Sequence, residues 1–198
     1  AASNRSADQF RRDHPGGGDV NFSARLAADA ALIEARLMAV LEGRADQPVT
    51  HAMRYAVRGG KRLRGFLVLE GARMLGISED RAISAAAAVE ALHAYSLVHD
   101  DLPSMDNDDL RRGQPTVHRK WNEATAVLAG DALQTLAFEL LADPALGSAE
   151  VRVEVVSGLA KASGIDGMVL GQALDIAAET AGRSLTLEEI TTLQAGKT

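Results

Sequence analysis

Cysteine is absent from the 198 residues, which excludes disulfides and thiolate-held metals. Aromatic residues make up only 4% of the chain, while alanine is abundant. Strands draw on aromatic and β-branched residues, so this composition favours packed helices over sheets. There is no excess of positive charge: a net charge of −6 and an isoelectric point near 5.4 argue against a nucleic-acid partner, which requires a basic face. No apolar run of roughly 18 residues is free of charge, so no transmembrane span is expected. Nor does an arginine-led apolar segment of the signal-peptide kind open the chain, and the expected location is the cytoplasm. Residues 1–22, with Pro15, Gly16, Gly17 and Gly18, are expected to form a polar, flexible leader.

From Ser23 onward the chain reads as helix after helix. Apolar spacing and stop signals predict helices over 24–43, 49–58, 61–75 and 79–102. Further helices are predicted over 122–142, 148–163 and 165–179, with a last one opening near Thr186. Ser78 is a suitable N-cap for the fourth, with Glu79 and Asp80 in its first turn. The middle of that helix, ISAAAAVEALHAYSLV, is nearly apolar all round, which marks a helix buried inside a bundle. No β-alternating run and no long-period repeat interrupts the pattern. The expected fold class is an all-α bundle.

Chemistry concentrates between His99 and Gly113, in HDDLPSMDNDDLRRG. Five aspartates (Asp100, Asp101, Asp106, Asp108, Asp109) fall within ten residues, followed at once by Arg111 and Arg112. Carboxylates this close repel unless cations hold them, so the cluster asks for metal. The arginines ask for an anion such as phosphate. Together they suggest a Mg²⁺-bridged diphosphate site. On an ideal helix Asp100 and Asp106 point about 120° apart, so they converge only if the backbone loosens, as Pro103 allows. A solvated acidic turn is the alternative.

Other candidates lie around this cluster. His93, seven residues before Asp100, lies on nearly the same helix face and is either a core histidine or a phosphate donor. In Gly59-Gly60-Lys61-Arg62-Leu63-Arg64, two glycines lead into a helix start that attracts anions, and Lys61 and Arg64 share a face. That segment reads either as a second diphosphate pocket or as a solvated basic turn. In GMVLGQALDI, Gly167 and Gly171 permit close helix packing. Gln172 and Asp175 share a face there and form either a pocket wall or an interhelical hydrogen bond. Lys197 and Thr198 add a cation and a hydroxyl.

GGKRLR, HAYSLVHDDLPSMDNDDLRRG, LAGDALQTLAF, GQALDI and GKT occur here in the order seen in trans-prenyltransferases. Over residues 50–198 the chain resembles the short-chain isoprenyl diphosphate synthases of bacterial type. The resemblance implies an all-α fold around a central apolar cavity, usually a homodimer, with residues 23–198 forming the N-terminal part of a single domain. It implies that Asp100, Asp101 and Asp106 bind the Mg²⁺ that grips an allylic diphosphate, with Arg111 alongside. Lys61, Arg64, His93 and Arg112 would take isopentenyl diphosphate, and Gln172, Lys197 and Thr198 would face the allylic diphosphate. Asp131 is a weaker candidate for the same cavity, and Asp175 weaker still.

The implied reaction is head-to-tail condensation of the two diphosphates. Its expected product is farnesyl diphosphate, with geranyl and geranylgeranyl diphosphate as alternatives. In the family, bulk just upstream of the first aspartate blocks the growing chain, which points to Tyr95 as the stop, with the small Ser96 beside it. An ideal wheel nevertheless puts Ser96 nearer the Asp100 face. The family's second aspartate-rich motif lies further downstream than Thr198, so the expectation is that these residues are part of a longer protein. Two other readings compete. An HD-type phosphohydrolase would use the His99–Asp100 pair with His51 and His93, and an inactive partner subunit would bind prenyl diphosphates without turning them over.

Overall fold

A computed structural model describes residues 21–180 and 185–197. Its first helix, α1 (Phe22–Leu41), starts where the Asn21 side chain accepts from the Ala24 amide at 3.2 Å, satisfying a donor that the first turn leaves unpaired. Asp29, Ile33, Leu37 and Leu41, each one turn after the last, form its buried stripe. Helix α2 (Pro48–Ala56) opens on a proline, whose missing N–H costs nothing at that position. Helix α3 (Leu63–Met74) stops at Gly76, which takes φ +70°. There the Ile77 and Gly76 amides donate back to the Ala72 and Arg73 carbonyls, closing the helix end.

Helix α4 (Glu79–Asp100) is the axis of the molecule. Ala82, Ala86, Ala87, Ala88, Ala91 and Ala94 are buried along it, and side chains this small let neighbouring helices approach closely. It packs against α6 (Glu123–Leu141) on one side and against α3 and α1 on the other. Ser78 holds the N-cap position as predicted, but its side chain makes no capping bond; Glu79 reaches Arg73 of α3 instead. Asn122 caps α6 through the Thr125 amide at 2.8 Å. Among the described residues α6 alone is long and apolar enough to cross a membrane by length and composition, and half of it is buried inside the protein.

Two features between α4 and α6 have no counterpart in the predicted elements. The first is a hairpin of two-residue strands, β1 (Leu110–Arg111) and β2 (Gln114–Pro115), pairing antiparallel. Its turn residues Arg112 and Gly113 take φ of 54° and 75°, the paired positive values that match the twist of a two-residue hairpin. The second is a single turn of helix, α5 (Val117–Lys120). Beyond α6, a 3₁₀ turn (Pro144–Leu146) leads to α7 (Ala149–Ser163), then α8 (Met168–Thr180) and α9 (Leu187–Lys197). Helix α8 packs chiefly on α9. Gly196 meets Gly171 and the Gly167 carbonyl there, with only 3.2 Å between a Cβ built at Gly196 and the Gly171 backbone. The glycine spacing noted in the sequence thus serves a close helix crossing. All helices predicted from Ser23 onward are present, and the fold is all-α.

Candidate functional site

The C-terminal end of α4 assembles the acidic part of the site. The helix ends at Asp100, and turns through Pro103 and Ser104 fold the chain back until the Asp106 amide donates to the Asp100 carbonyl at 2.9 Å. The backbone therefore does loosen at Pro103, and Asp106 returns to the helix end. Asp101 is directed elsewhere. Its carboxylate is only 3% exposed and takes three hydrogen bonds from Arg111, from Nε at 2.9 and 3.0 Å and from Nη2 at 2.6 Å. The pair is a two-pronged fork, the geometry in which guanidinium and carboxylate bind most strongly. Although burial opposes it, the Asp101 hydrogen bonds and the charges of Asp101, Asp108 and Asp100 hold the Arg111 pKa above its ordinary value. Among the described residues no three His, Asp or Glu side chains are placed to hold one metal ion. Asp100 and Asp106 remain as the pair brought together at the helix end, with Asp108 and Asp109 exposed nearby.

The cationic part lies two turns earlier on α4. Half-buried His93 is surrounded by Arg64, Arg112 and Arg111; burial, then these three charges, pulls its pKa down to about 4. Arg112, on the hairpin turn, lies over the Gly59–Gly60 loop, and a Cβ built at Gly60 would come within 2.5 Å of its Nη1. The hairpin, absent from the predicted elements, is thus what carries Arg112 from the acidic cluster to the basic loop. Lys61 is exposed on that same loop. Arg62, by contrast, is only 6% exposed and takes φ +49° at the start of α3. It donates to the Val57 carbonyl and to Glu34 Oε2, the latter at 3.0 Å, and Glu34 also accepts from the Gly59 amide. Burial pushes the Glu34 carboxyl up, but the Arg62 and Gly59 hydrogen bonds and the Arg58 charge outweigh it, so its pKa is lowered.

Sequence reasoning missed the supports of this arrangement. Glu34 carried no signal, being one acidic residue on the polar side of α1. Glu90 did carry one, as the lone charge in an alanine run. Buried at 6% exposure, it accepts from the Gly65 amide at 2.9 Å and so occupies the N-terminus of α3. Tyr55 donates to the Pro115 carbonyl at 2.8 Å, and Lys120 Nζ lies 3.9 Å from its ring, which ties the hairpin to α2.

On the flank facing α6, the Tyr95 ring meets the His99 ring edge to face, with centroids 5.0 Å apart. Burial raises the Tyr95 pKa, and the charges of Asp100 and Asp131 add to it. Asp131 therefore belongs to this neighbourhood, brought in by α6. Ser96 turns its hydroxyl back onto the His93 carbonyl at 2.9 Å. Gln172 and Asp175 are half-buried on α8. The Lys197 side chain and the whole of Thr198 lie outside the described residues. The histidines do not form the set that an HD site needs. His51 pairs with Asp46 at 2.6 Å, His93 sits among arginines, and His99 Nε2 faces the Val127 carbonyl.

A family sequence model described as Polyprenyl synthetase matches residues 46–198. The farnesyl diphosphate synthase of Escherichia coli is 53% identical over 156 residues, covering 77% of this chain and 52% of that protein. That of Haemophilus influenzae is 45% identical over 181 residues, covering 90% of this chain and 61% of its own length. The apo crystal structure of an FPP/GFPP synthase from Zymomonas mobilis superposes with a TM-score of 0.87 at 46% identity, covering 90% of this chain and 65% of that one. The chain thus spans between about half and two thirds of the length of the relatives it matches.

Proposed function

Because the chain belongs to the polyprenyl synthetase family, we propose that it forms part of a Mg²⁺-dependent prenyltransferase condensing isopentenyl diphosphate with an allylic diphosphate, with farnesyl diphosphate as the product. The observation that carries this reading is the pairing of opposite charge along one helix. Carboxylates gather where α4 ends, while His93, Arg64 and Arg112 gather about 10 Å back along its axis. One wall can therefore offer a cation-binding end and an anion-binding end to two substrates at once.

The donor set at the acidic end fits a hard divalent cation, which takes carboxylate oxygens and keeps several waters. Asp100 and Asp106 are the residues that would hold Mg²⁺, and Asp101 is the anchor of Arg111. Bound there, Mg²⁺ would draw negative charge onto the allylic diphosphate and ease its departure. Arg111 adds a fixed positive charge beside the same oxygens. Lys61, Arg64, Arg112 and neutral His93 hold the isopentenyl diphosphate, His93 through a ring N–H. Gln172, Lys197 and Thr198 face the allylic diphosphate from the far side.

In the step itself the allylic carbon–oxygen bond breaks and the electron pair leaves with the diphosphate. The double bond of isopentenyl diphosphate then attacks the allylic carbon, and the resulting cation loses a proton to the departed diphosphate. Apolar side chains along α4 exclude water from the carbocation. Tyr95, projecting ahead of Asp100, forms the pocket floor that stops the product at farnesyl length.

The relatives named as farnesyl diphosphate synthases support this product, while the name of the Zymomonas relative keeps a longer one as the second reading. The same reading takes the enzyme as a cytoplasmic homodimer. The test is incubation of the full-length protein with dimethylallyl and isopentenyl diphosphates, with and without Mg²⁺, followed by chromatography. Farnesyl diphosphate formed only with Mg²⁺ is expected. Phosphate release without any elongated product would overturn the assignment.

A further inference from the structure

His99 takes part in neither the acidic nor the cationic cluster, yet its ring is held on three sides. Its Nε2–H donates to the Val127 carbonyl of α6 at 3.0 Å. One edge presses into a notch left by Gly130, where a built Cβ would overlap the ring and force it out. The Tyr95 ring stands against it at an interplanar angle of 76°. Asp131 Oδ1, one residue past the notch, lies 3.8 Å from Nε2. Val127 and Gly130 both belong to the backbone of a capped, half-buried helix, so the imidazole is referenced to a rigid element. Tyr95, one turn earlier on α4, is referenced through the imidazole in turn, because its ring stands against the ring that α6 holds.

We propose that His99 is a specificity-determining positioning residue: docked in the Gly130 notch of α6, it braces the Tyr95 ring and so sets the depth of the pocket and the length of the product. The proposal deepens the reading of Tyr95 as the pocket floor and rests on it. His99 acts through Tyr95 and touches no reacting atom. Without the imidazole, Tyr95 has a free volume to swing into, and the growing chain can push it aside. Replacing Gly130 has the same effect from the opposite helix, since an added methyl denies the ring its seat.

The experiment compares the full-length enzyme with His99→Ala, Gly130→Ala, Tyr95→Ala and the His99→Ala/Tyr95→Ala double variant. Products from dimethylallyl and isopentenyl diphosphates are separated by chain length, and KM and kcat are measured alongside. His99→Ala and Gly130→Ala should each lengthen the product by one isoprene unit, with the KM for isopentenyl diphosphate unchanged. The double variant should match Tyr95→Ala, because both changes act on one floor. A merely structural role would lower kcat without moving product length. Where His99→Ala is inactive, Gly130→Ala carries the decision, since it removes no group beside Asp100.

Unchanged product length in these variants while Tyr95→Ala lengthens it would overturn the proposal and leave the floor reading standing. Additional lengthening in the double variant would also overturn it, by showing an effect independent of Tyr95. If Tyr95→Ala leaves the product unaltered, the floor reading fails and the proposal falls with it.

Discussion

Arg111 and Asp101 complete one another, and removing either partner has a consequence out of proportion to its size. Asp101 is buried, so Arg111→Ala leaves a carboxylate in a poorly solvated place with its three hydrogen bonds from Arg111 gone. The expected cost is about 3 kcal/mol, the lower end for a broken buried pair because Arg111 is one third exposed. Urea denaturation would measure it, and a change near zero would show Asp101 to be solvated. Asp100→Ala tests a different kind of dependence. The fold should survive, while Mg²⁺-dependent turnover should fall on the order of a hundredfold or more. Near-normal turnover would remove Asp100 from the metal site.

His93 gives the residue scale its pH dependence. Its pKa in the folded chain, about 4, lies below the 6.5 of an unperturbed histidine, so the unfolded state binds the extra proton first. Its contribution therefore favours folding fully above pH 6.5 and is lost as the pH falls from there toward 4. His93→Gln should flatten the stability profile in that window and leave it unchanged above. Parallel profiles for the two proteins across the window would contradict the assignment.

At the scale of elements, the hairpin and the start of α3 decide what the site contains. Arg112 and Arg62 both adopt the left-handed conformation, a sparsely populated choice for an arginine, and Arg62 is held there by the Val57 carbonyl and Glu34. The start of α3 is as tightly specified: a Cβ at Gly65 would lie 2.6 Å from Ile33 Cδ1 and 3.0 Å from Glu90 Cγ. Gly65→Ala should therefore destabilise the fold by about 1–3 kcal/mol, the usual cost of overpacking, despite alanine's better helix propensity. A thermal melt showing stabilisation would mean that Ile33 and Glu90 can give way. The helix positions themselves were legible in the sequence, because apolar spacing and stop signals are local. The hairpin was not. Two-residue strands carry no alternating run, and their one local signal, Arg112-Gly113, lies inside a motif whose charges drew the reading toward chemistry.

For the molecule as a whole, burial is uneven. The α1–α6 core is rich in fully buried residues such as Ile33, Leu37, Ala87 and Leu133, whereas α8 and α9 contribute Leu193 and leave Leu170, Leu174 and Ile190 partly exposed. Opening free energy follows buried contact, so amides in Met168–Thr180 and Leu187–Lys197 should exchange much faster than those in 86–100 and 126–141. Uniform protection would show that the two parts unfold together. The same asymmetry explains why the sequence could nominate Gln172 only as one of two alternatives: its role depends on what α8 packs against, a long-range property that spacing cannot report.

Composition and periodicity were sufficient for the all-α class, and the ordered motifs from GGKRLR to GQALDI were sufficient for the family, because both depend on near neighbours along the chain. Spacing also identified the residues that gather at the α4 end. Which way their side chains turn was decided by tertiary structure alone. The hairpin brings Arg111 onto the Asp101 carboxylate, and Glu34, 28 residues away in sequence, takes Arg62 into the interior. His99 and Gly130, 31 positions apart by their numbering, meet only because α4 and α6 pack side by side. Charge and period are written locally; contacts between distant residues exist only once the chain has closed on itself.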